Sequence, residues 1–182
     1  MTESLAKRHR RRQHVWVVLP AYNEAASLPV LLEAIDESMF EGRLDYHILL
    51  MDDGSTDGTA DIARRFGEEM PVRVERHPRN LGLGMTIRDG LMKAAELADP
   101  KDIVVTMDAD NSHTPELILR MVRVIREGHD VVIASRYQPG RRTRDWLKVK
   151  THDEQEFVVA GYTKGKGRRV GRLGSLVLAV VT

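Results

Sequence analysis

A chain of 182 residues suits one domain with a single buried core. Its 42% hydrophobic and 30% charged residues, with a formal net charge of +1, are those of a soluble globular protein and exclude global disorder. The absence of cysteine excludes disulfides, thiolate metal sites and cysteine nucleophiles.

Residues 15–19, VWVVL, form a continuous apolar run ending at Pro20, as a buried strand does. Leu28, Leu31, Leu32, Ile35 and Met39 then recur at helical spacing, which predicts an amphipathic helix over 26–39. HILLM (47–51) is a second buried strand. GTADIARRFGEEM follows, with Ala60, Ala63 and Phe66 on one helical face. VRVE (72–75) is a third strand, and Ile87, Leu91, Ala94, Ala95 and Ala98 mark the next helix. IVVTM (103–107) is a fourth strand, a helix carries Leu117, Met121, Val122 and Ile125, and VVIA (131–134) reads as a fifth strand. Strands alternating with helices predict an α/β domain of parallel βαβ units with both sheet faces covered. From residue 141 the periodicity changes. WLKVK, EFVVAGYT and SLVLAVV, joined by Gly-rich turns, predict a short antiparallel β element.

Charge is segregated along this order. Residues 1–14 carry five Lys/Arg against one Glu, residues 15–140 carry 13 basic against 22 acidic residues, and residues 141–182 carry ten basic against four. An acidic body argues against nucleic acid as a partner, because neutralising phosphates needs Lys and Arg. The basic ends leave nucleic-acid binding as a minor alternative, and residues 1–13 read as a flexible basic arm. No apolar run approaches the roughly 20 residues of a membrane helix. The expectation is a cytoplasmic chain, with peripheral contact at the membrane face allowed by its basic ends.

In a parallel sheet, ligands bind beyond the carboxyl ends of the strands. Polar clusters stand there: PAYNE after the first strand, DDGSTDGT after the second, DADNSH after the fourth and SRY after VVIA. Asp108 and Asp110, two apart, project to one side of an extended segment. They can be solvated loop residues, a cap for the helix beginning near Thr114-Pro115, or a cation site. Hard oxygens on a short loop suit Mg²⁺ or Mn²⁺. Ser112 would add a weak ligand or hold a metal-bound water, whereas His113 reads as a helix-entry residue. Asp52 and Asp53 can accept hydrogen bonds from a base or ribose, while Asp57 or Thr56 can cap the helix that follows. Tyr22 offers a stacking face and Asn23-Glu24 acceptors for ribose hydroxyls. Gly82 and Gly84 in NLGLG either allow close approach of a ligand or serve a tight turn. There is no GxxxxGK[ST] loop and no GxGxxG after the first strand, which disfavours P-loop and dinucleotide enzymes.

Taken in order, VVLPAYNEAASLPVLL, MDDGSTDGTADIA, NLGLGMTIRDGL, MDADNSHTPELI and ASRYQPG resemble the family 2 glycosyltransferases, and most nearly the dolichyl- or polyprenyl-phosphate mannose synthases. The resemblance covers residues 14–140. It implies a Rossmann-like GT-A half-domain that binds a nucleotide-diphosphate sugar and transfers the sugar with inversion, to a polyprenyl phosphate. It places Pro20, Tyr22, Glu24, Asp52 and Asp53 in the nucleoside pocket, Asp108 and Asp110 on the divalent ion that bridges the diphosphate, and Arg136 on phosphate charge. Residues 141–182 resemble a different family, the bacterial ATP-dependent DNA ligases, at the end of the adenylation domain and the start of the OB-fold. That resemblance matches Lys148 and Lys150 to phosphate-contacting lysines. The Lys-x-Asp-Gly nucleophile of those ligases is absent, which excludes an enzyme-adenylate. With the acceptor half replaced after Gly140, the expectation is a donor-binding domain with impaired turnover, the alternative being a non-catalytic sugar-nucleotide or metal-binding module.

Overall fold

The computed structural model describes residues 13–134 and, beyond them, the backbone of four further short strands. The elements run β1 (His14–Ala21), α1 (Leu28–Glu41), β2 (Asp45–Asp52), α2 (Thr59–Phe66), β3 (Val72–Arg76), α3 (Leu83–Leu97), β4 (Ile103–Thr106) and α4 (Glu116–Arg126). Each long apolar run is a strand, and each segment of helical period is a helix.

The four strands form one parallel sheet in the order β3-β2-β1-β4. Alternate residues of β1 serve opposite faces. Val15, Val17 and Leu19 join the core made with α1, α2 and α4, while Trp16 and Val18 join a smaller core with α3. Burial on both faces explains why the strands read as continuous apolar runs rather than alternating ones. On the first face, α1 contributes Leu28, Leu31, Leu32, Ile35 and Met39, the stripe expected from its sequence. On the second, a Cβ at Gly90 of α3 would stand 2.7 Å from both Met51 Cγ and Val18 Cγ1, so only glycine lets the helix seat this close. In α2, Asp61 lies in the first turn and Arg64 and Arg65 in the last, complementing the helix dipole.

Two expectations are corrected. VVIA (131–134) forms no strand; it is half-buried and makes no ladder among the described residues. Four apolar residues signal burial, but a strand also needs a paired neighbour, which periodicity cannot report. In α4 the core face is carried by Ile118 and Val122, with Leu119 and Ile125 packed beside them, while Leu117 and Met121 are only half-buried. Glu116, Arg120 and Arg123 fall on one narrow arc of the helix and Ile118 and Val122 lie opposite it, so the placing of the polar residues centres the stripe. At its edge, Leu119 Cδ2 occupies the space where Gly42 would carry a Cβ.

Beyond residue 134 there are four strands, β5 (Tyr137–Gln138), β6 (Arg141–Arg142), β7 (Val158–Lys164) and β8 (Leu173–Ala179). β5 pairs with β6, and β7 pairs antiparallel with β8 through an irregular register. The β7–β8 ribbon is the expected antiparallel element, built from two of its three segments. The third, WLKVK, lies outside the described residues, as do Arg136, Lys148, Lys150 and the basic arm at 1–12.

Candidate functional site

The order β3-β2-β1-β4 reverses direction between β1 and β4. In such sheets the loops leaving the two strands at the reversal splay apart and open a crevice. Here those loops are YNEAAS after β1 and MDADNSH after β4. The ladders extend to this edge: Asp53 N–H donates to Ala21 O, His77 N–H to Asp52 O, and Met107 N–H to Val18 O. The ends of all four strands are therefore fixed relative to one another.

The loops after β1 and β2 are joined by reciprocal hydrogen bonds. Asn23 N–H donates to Ser55 Oγ (2.9 Å), Glu24 N–H to Thr59 Oγ1 (2.9 Å) and Ala25 N–H to Asp57 Oδ2 (3.0 Å). In return, Thr56 N–H donates to Asn23 Oδ1 (2.9 Å). Asn23 adopts φ 57°, a left-handed conformation that asparagine tolerates. The other Asp57 oxygen accepts from Thr59 N–H and Oγ–H in the first turn of α2. Asp57 thus serves the helix start, as its sequence context allows, and also clamps the first loop. Burial pushes its carboxyl up, but these donors outweigh burial and hold it below the usual value.

Asp52 is fully buried, and its Oδ1 accepts Ser55 N–H (2.9 Å). Arg76, the last residue of β3, brings Nε to 2.9 Å from Asp52 Oδ2 and donates Nη2–H to Ser55 O (2.7 Å). The Nε contact is an ion pair rather than an aligned hydrogen bond. It leaves Asp52 Oδ2 as the one buried side-chain oxygen without a hydrogen-bond partner among the described residues. Asp53 is also buried. Its Oδ1 lies 2.7 Å from His77 Nδ1 and accepts Leu81 N–H, and its Oδ2 accepts Gly82 N–H, both at 2.9 Å. Burial opposes ionisation, yet these contacts prevail and keep Asp53 below its ordinary pKa.

The NLG turn is held by two glycines for different reasons. Gly54, at φ +76°, lies against the backbone of Arg79 and Asn80, where a Cβ would come within 2.6 Å. Gly82 has φ 89° and ψ 156°, a conformation open to glycine almost alone. Gly84 has open space and sits in the first turn of α3. Leu81 and Leu83 beside it are exposed.

Across the crevice, Met107 and Ala109 point into the core while Asp108 is half-buried and Asp110 exposed. The period-two reading of the two aspartates holds. Neither caps α4, which begins without a side-chain cap. Asp110 Oδ1 instead accepts Ser112 N–H (2.9 Å), and Asn111 between them has φ 61°. Burial raises the Asp110 carboxyl, but the Ser112 donors, followed by nearby His113, bring it below the usual value. His113 lies against Asp108, its Nδ1 accepting Asp108 N–H at 3.4 Å. Ser27 joins this loop to the first: its hydroxyl lies 2.6 Å from Glu24 Oε2 and 3.1 Å from Ala109 O.

The structure therefore brings Tyr22, Glu24, Asp52, Asp53, Gly82, Asp108 and Asp110 to one edge, with Tyr22 exposed at the rim. Pro20 is buried within β1, opposite Met51. Sequence reasoning passed over Arg76, His77 and Ser27. The RHPRN cluster at the end of β3 was the available signal, since it stands at the same edge as the others.

Residues 16–176 match the family described as glycosyl transferase family 2. The match continues past Gly140 into the segment that resembles the ligases. The chain is 36% identical over 132 residues to the dolichol-phosphate mannosyltransferase of Pyrococcus furiosus, covering 72% of this chain and 36% of that protein. It is 35% identical over 139 residues to the polyprenol monophosphomannose synthase of Mycolicibacterium smegmatis, covering 75% of this chain and 50% of that one. The chain thus spans half or less of the length of these relatives. Among solved structures, glucosyl-3-phosphoglycerate synthase of Mycobacterium tuberculosis, in complex with uridine diphosphate, superposes with a TM-score of 0.50 and 27% identity over 68% of this chain and 43% of that one. The all-parallel sheet is that of the GT-A glycosyltransferases, and the chain belongs to glycosyl transferase family 2.

Proposed function

We propose that this chain holds a nucleotide-diphosphate sugar at the carboxyl edge of its sheet, for inverting transfer of the sugar to a polyprenyl (dolichyl) phosphate. The observation that carries this reading is the pair Asp108 and Asp110, facing outward at the β1–β4 reversal while Met107 and Ala109 anchor their loop in the core. The two mannose-transferring relatives, named for dolichol phosphate and polyprenol, support the acceptor class. The uridine diphosphate complex of the solved relative supports a nucleoside diphosphate as ligand.

A divalent cation, Mg²⁺ or Mn²⁺, fits the donor set. The available groups, two carboxylates and the Ser112 hydroxyl, are hard oxygens. That composition suits an ion completed by water and phosphate oxygens. When bound, such an ion offsets charge developing on the leaving diphosphate. Asp108 and Asp110 are the residues to hold it, with Ser112 fixing the Asp110 carboxylate. Tyr22 supplies an exposed stacking face for the base. Glu24, oriented by the Ser27 hydroxyl, supplies an acceptor for ribose hydroxyls. Pro20, Asp52 and Asp53 form the floor, with Asp53 acting chiefly by shaping the NLG turn, since both its oxygens already have partners. Gly82 and Gly84 let the backbone of that turn come close to the ligand. Arg136 is assigned to phosphate charge. An acceptor phosphate is already an anion, so direct attack at the anomeric carbon needs no strong general base.

The test is a thermal-shift panel of GDP-mannose, UDP-glucose and related donors, with Mn²⁺ or with chelator. A donor should raise Tm with the ion present and much less without it. Asp110→Asn should remove the ion-dependent increment and leave the unliganded Tm within about 2 °C, as expected for an exposed surface change. Equal stabilisation with and without the ion would overturn the assignment.

A further inference from the structure

Resting on the donor-site reading, we propose that His77 is a positioning residue that sets the shape of the donor crevice through Asp53. It follows β3, and its own N–H prolongs the ladder by donating to Asp52 O (2.8 Å). Its side chain is largely enclosed, with 12% of its surface exposed. The ring lies between two carboxylates from different elements. Nδ1 is 2.7 Å from Asp53 Oδ1, at the end of β2, and Nε2 is 3.4 Å from Asp89 Oδ2, on α3. Arg88, 3.8 Å from the other Asp89 oxygen, is the further charge on that side.

The consequence runs through Asp53. Its carboxylate collects the N–H groups of Leu81 and Gly82, and so fixes the turn that leads into α3. Gly82 stands at the start of α3 without a side-chain cap, in a backbone conformation that needs external support. Asp53 supplies that support only while its own rotamer is fixed, and His77 Nδ1, the nearest side-chain partner, fixes it together with the buried Thr86 hydroxyl of α3. Arg76, one residue earlier, acts on Asp52 and Ser55 in parallel. Two adjacent side chains at the end of β3 therefore orient the two aspartates of the crevice floor without facing the ligand themselves.

Asparagine and glutamine variants separate positioning from bulk. In His77→Asn the amide nitrogen stands near the place of Nδ1 and can still reach Asp53. In His77→Gln the amide is carried toward the place of Nε2 and Asp89. The probes are GDP-mannose and UDP-glucose with Mn²⁺, titrated calorimetrically, alongside hydrogen exchange at the Leu81 and Gly82 amides. His77→Gln should weaken donor affinity about tenfold, the scale of one hydrogen bond to a charged group, and speed exchange at both amides. His77→Asn should restore most of both. If wild type binds and the two variants behave alike, or the order is reversed, the positioning role is wrong while the donor site stands. If wild type binds neither probe, the donor reading fails and this inference fails with it.

Discussion

Gly54 and Gly58 lie four residues apart in one loop, both with positive φ, yet they should respond very differently to alanine. Gly58→Ala meets no atom within 4 Å, so its cost is that of the left-handed backbone alone. That cost is about 1–2 kcal/mol, reduced by about 0.4–1 kcal/mol because alanine restricts the unfolded chain. Gly54→Ala carries the same backbone cost at φ +76° and also drives its Cβ to 2.6 Å from Arg79 C, 2.7 Å from Arg79 Cα and 2.9 Å from Asn80 N. These are backbone atoms, so no side chain can swing aside. Relief requires the 79–80 segment to move by most of an ångström, and overpacking of this kind costs about 1–3 kcal/mol. Gly54→Ala should therefore lose about 2–4 kcal/mol, and Gly58→Ala about 1 kcal/mol or less. For a chain of this size, each kcal/mol lowers Tm by about 2–4 °C. The displaced segment leads directly to the Leu81 and Gly82 amides on Asp53, so donor affinity should also fall in Gly54→Ala and survive in Gly58→Ala. Urea unfolding followed by circular dichroism, with donor titration of both proteins, checks this. Equal losses in the two variants would show that the contact between the DDGS loop and the NLG turn is not tight, and would refute the reasoning.

Asp53→Ala removes the acceptor of two amide N–H groups and the His77 contact; at about 1 kcal/mol for each amide and somewhat more for the charged contact, it should cost about 3–4 kcal/mol by urea unfolding at pH 7. His47 is held below its usual value first by burial, then by His14 3.0 Å away and by Arg73, against the pull of Asp102. Its contribution is therefore complete above about pH 6.5 and is lost as pH falls from there toward the lowered folded value, because the unfolded chain binds the proton first; His47→Gln should flatten urea midpoints across that window. Asp53, Asp57 and Asp110 are all lowered, so their contribution persists above the unfolded value of 3.8 and disappears as pH falls through their folded values. Acid unfolding followed by fluorescence should steepen below pH 4, and Asp57→Asn should soften it. Incubation with labelled ATP and Mg²⁺ should give no lysyl-adenylate, since no Lys-x-Asp-Gly sequence is present.

The order of elements was legible because it rests on local patterns, an apolar run for each strand and a helical stripe for each helix. The location of the site was legible for a further reason: parallel strands put all their carboxyl ends at one edge, so PAYNE, DDGST and DAD had to converge. The outward aim of Asp108 and Asp110 followed from alternation, with Met107 and Ala109, the alternate residues, buried. What stayed hidden depended on partners distant in the chain. VVIA has the composition of a strand but no ladder among the described residues, and the seating of Leu119 against Gly42 depends on a residue far earlier in the chain. Arg76 and His77 were overlooked because their partners, Asp52 and Asp53, lie 24 residues earlier. No local period encodes such a pairing.

The distribution of charge at this edge bears on the proposed cation. Five aspartates gather at the strand ends, but they do not act alike. Asp52 is compensated by Arg76, while Asp53 and Asp57 are bound by protein donors and held in the ionised form. Asp110, also kept ionised by its neighbours, and Asp108 face outward. At neutral pH the crevice is therefore lined by carboxylates within a body whose residues 15–140 carry 22 acidic against 13 basic side chains. A diphosphate entering alone would meet like charge: at about 4 Å and an effective dielectric of about 20, each unscreened pair of unit charges opposes it by about 4 kcal/mol. Under the proposed reading, a divalent ion held by Asp108 and Asp110 would offset that repulsion. Anionic donor binding is then expected to depend on the ion, and donor titration in chelator, giving affinity equal to that with Mn²⁺, would refute it.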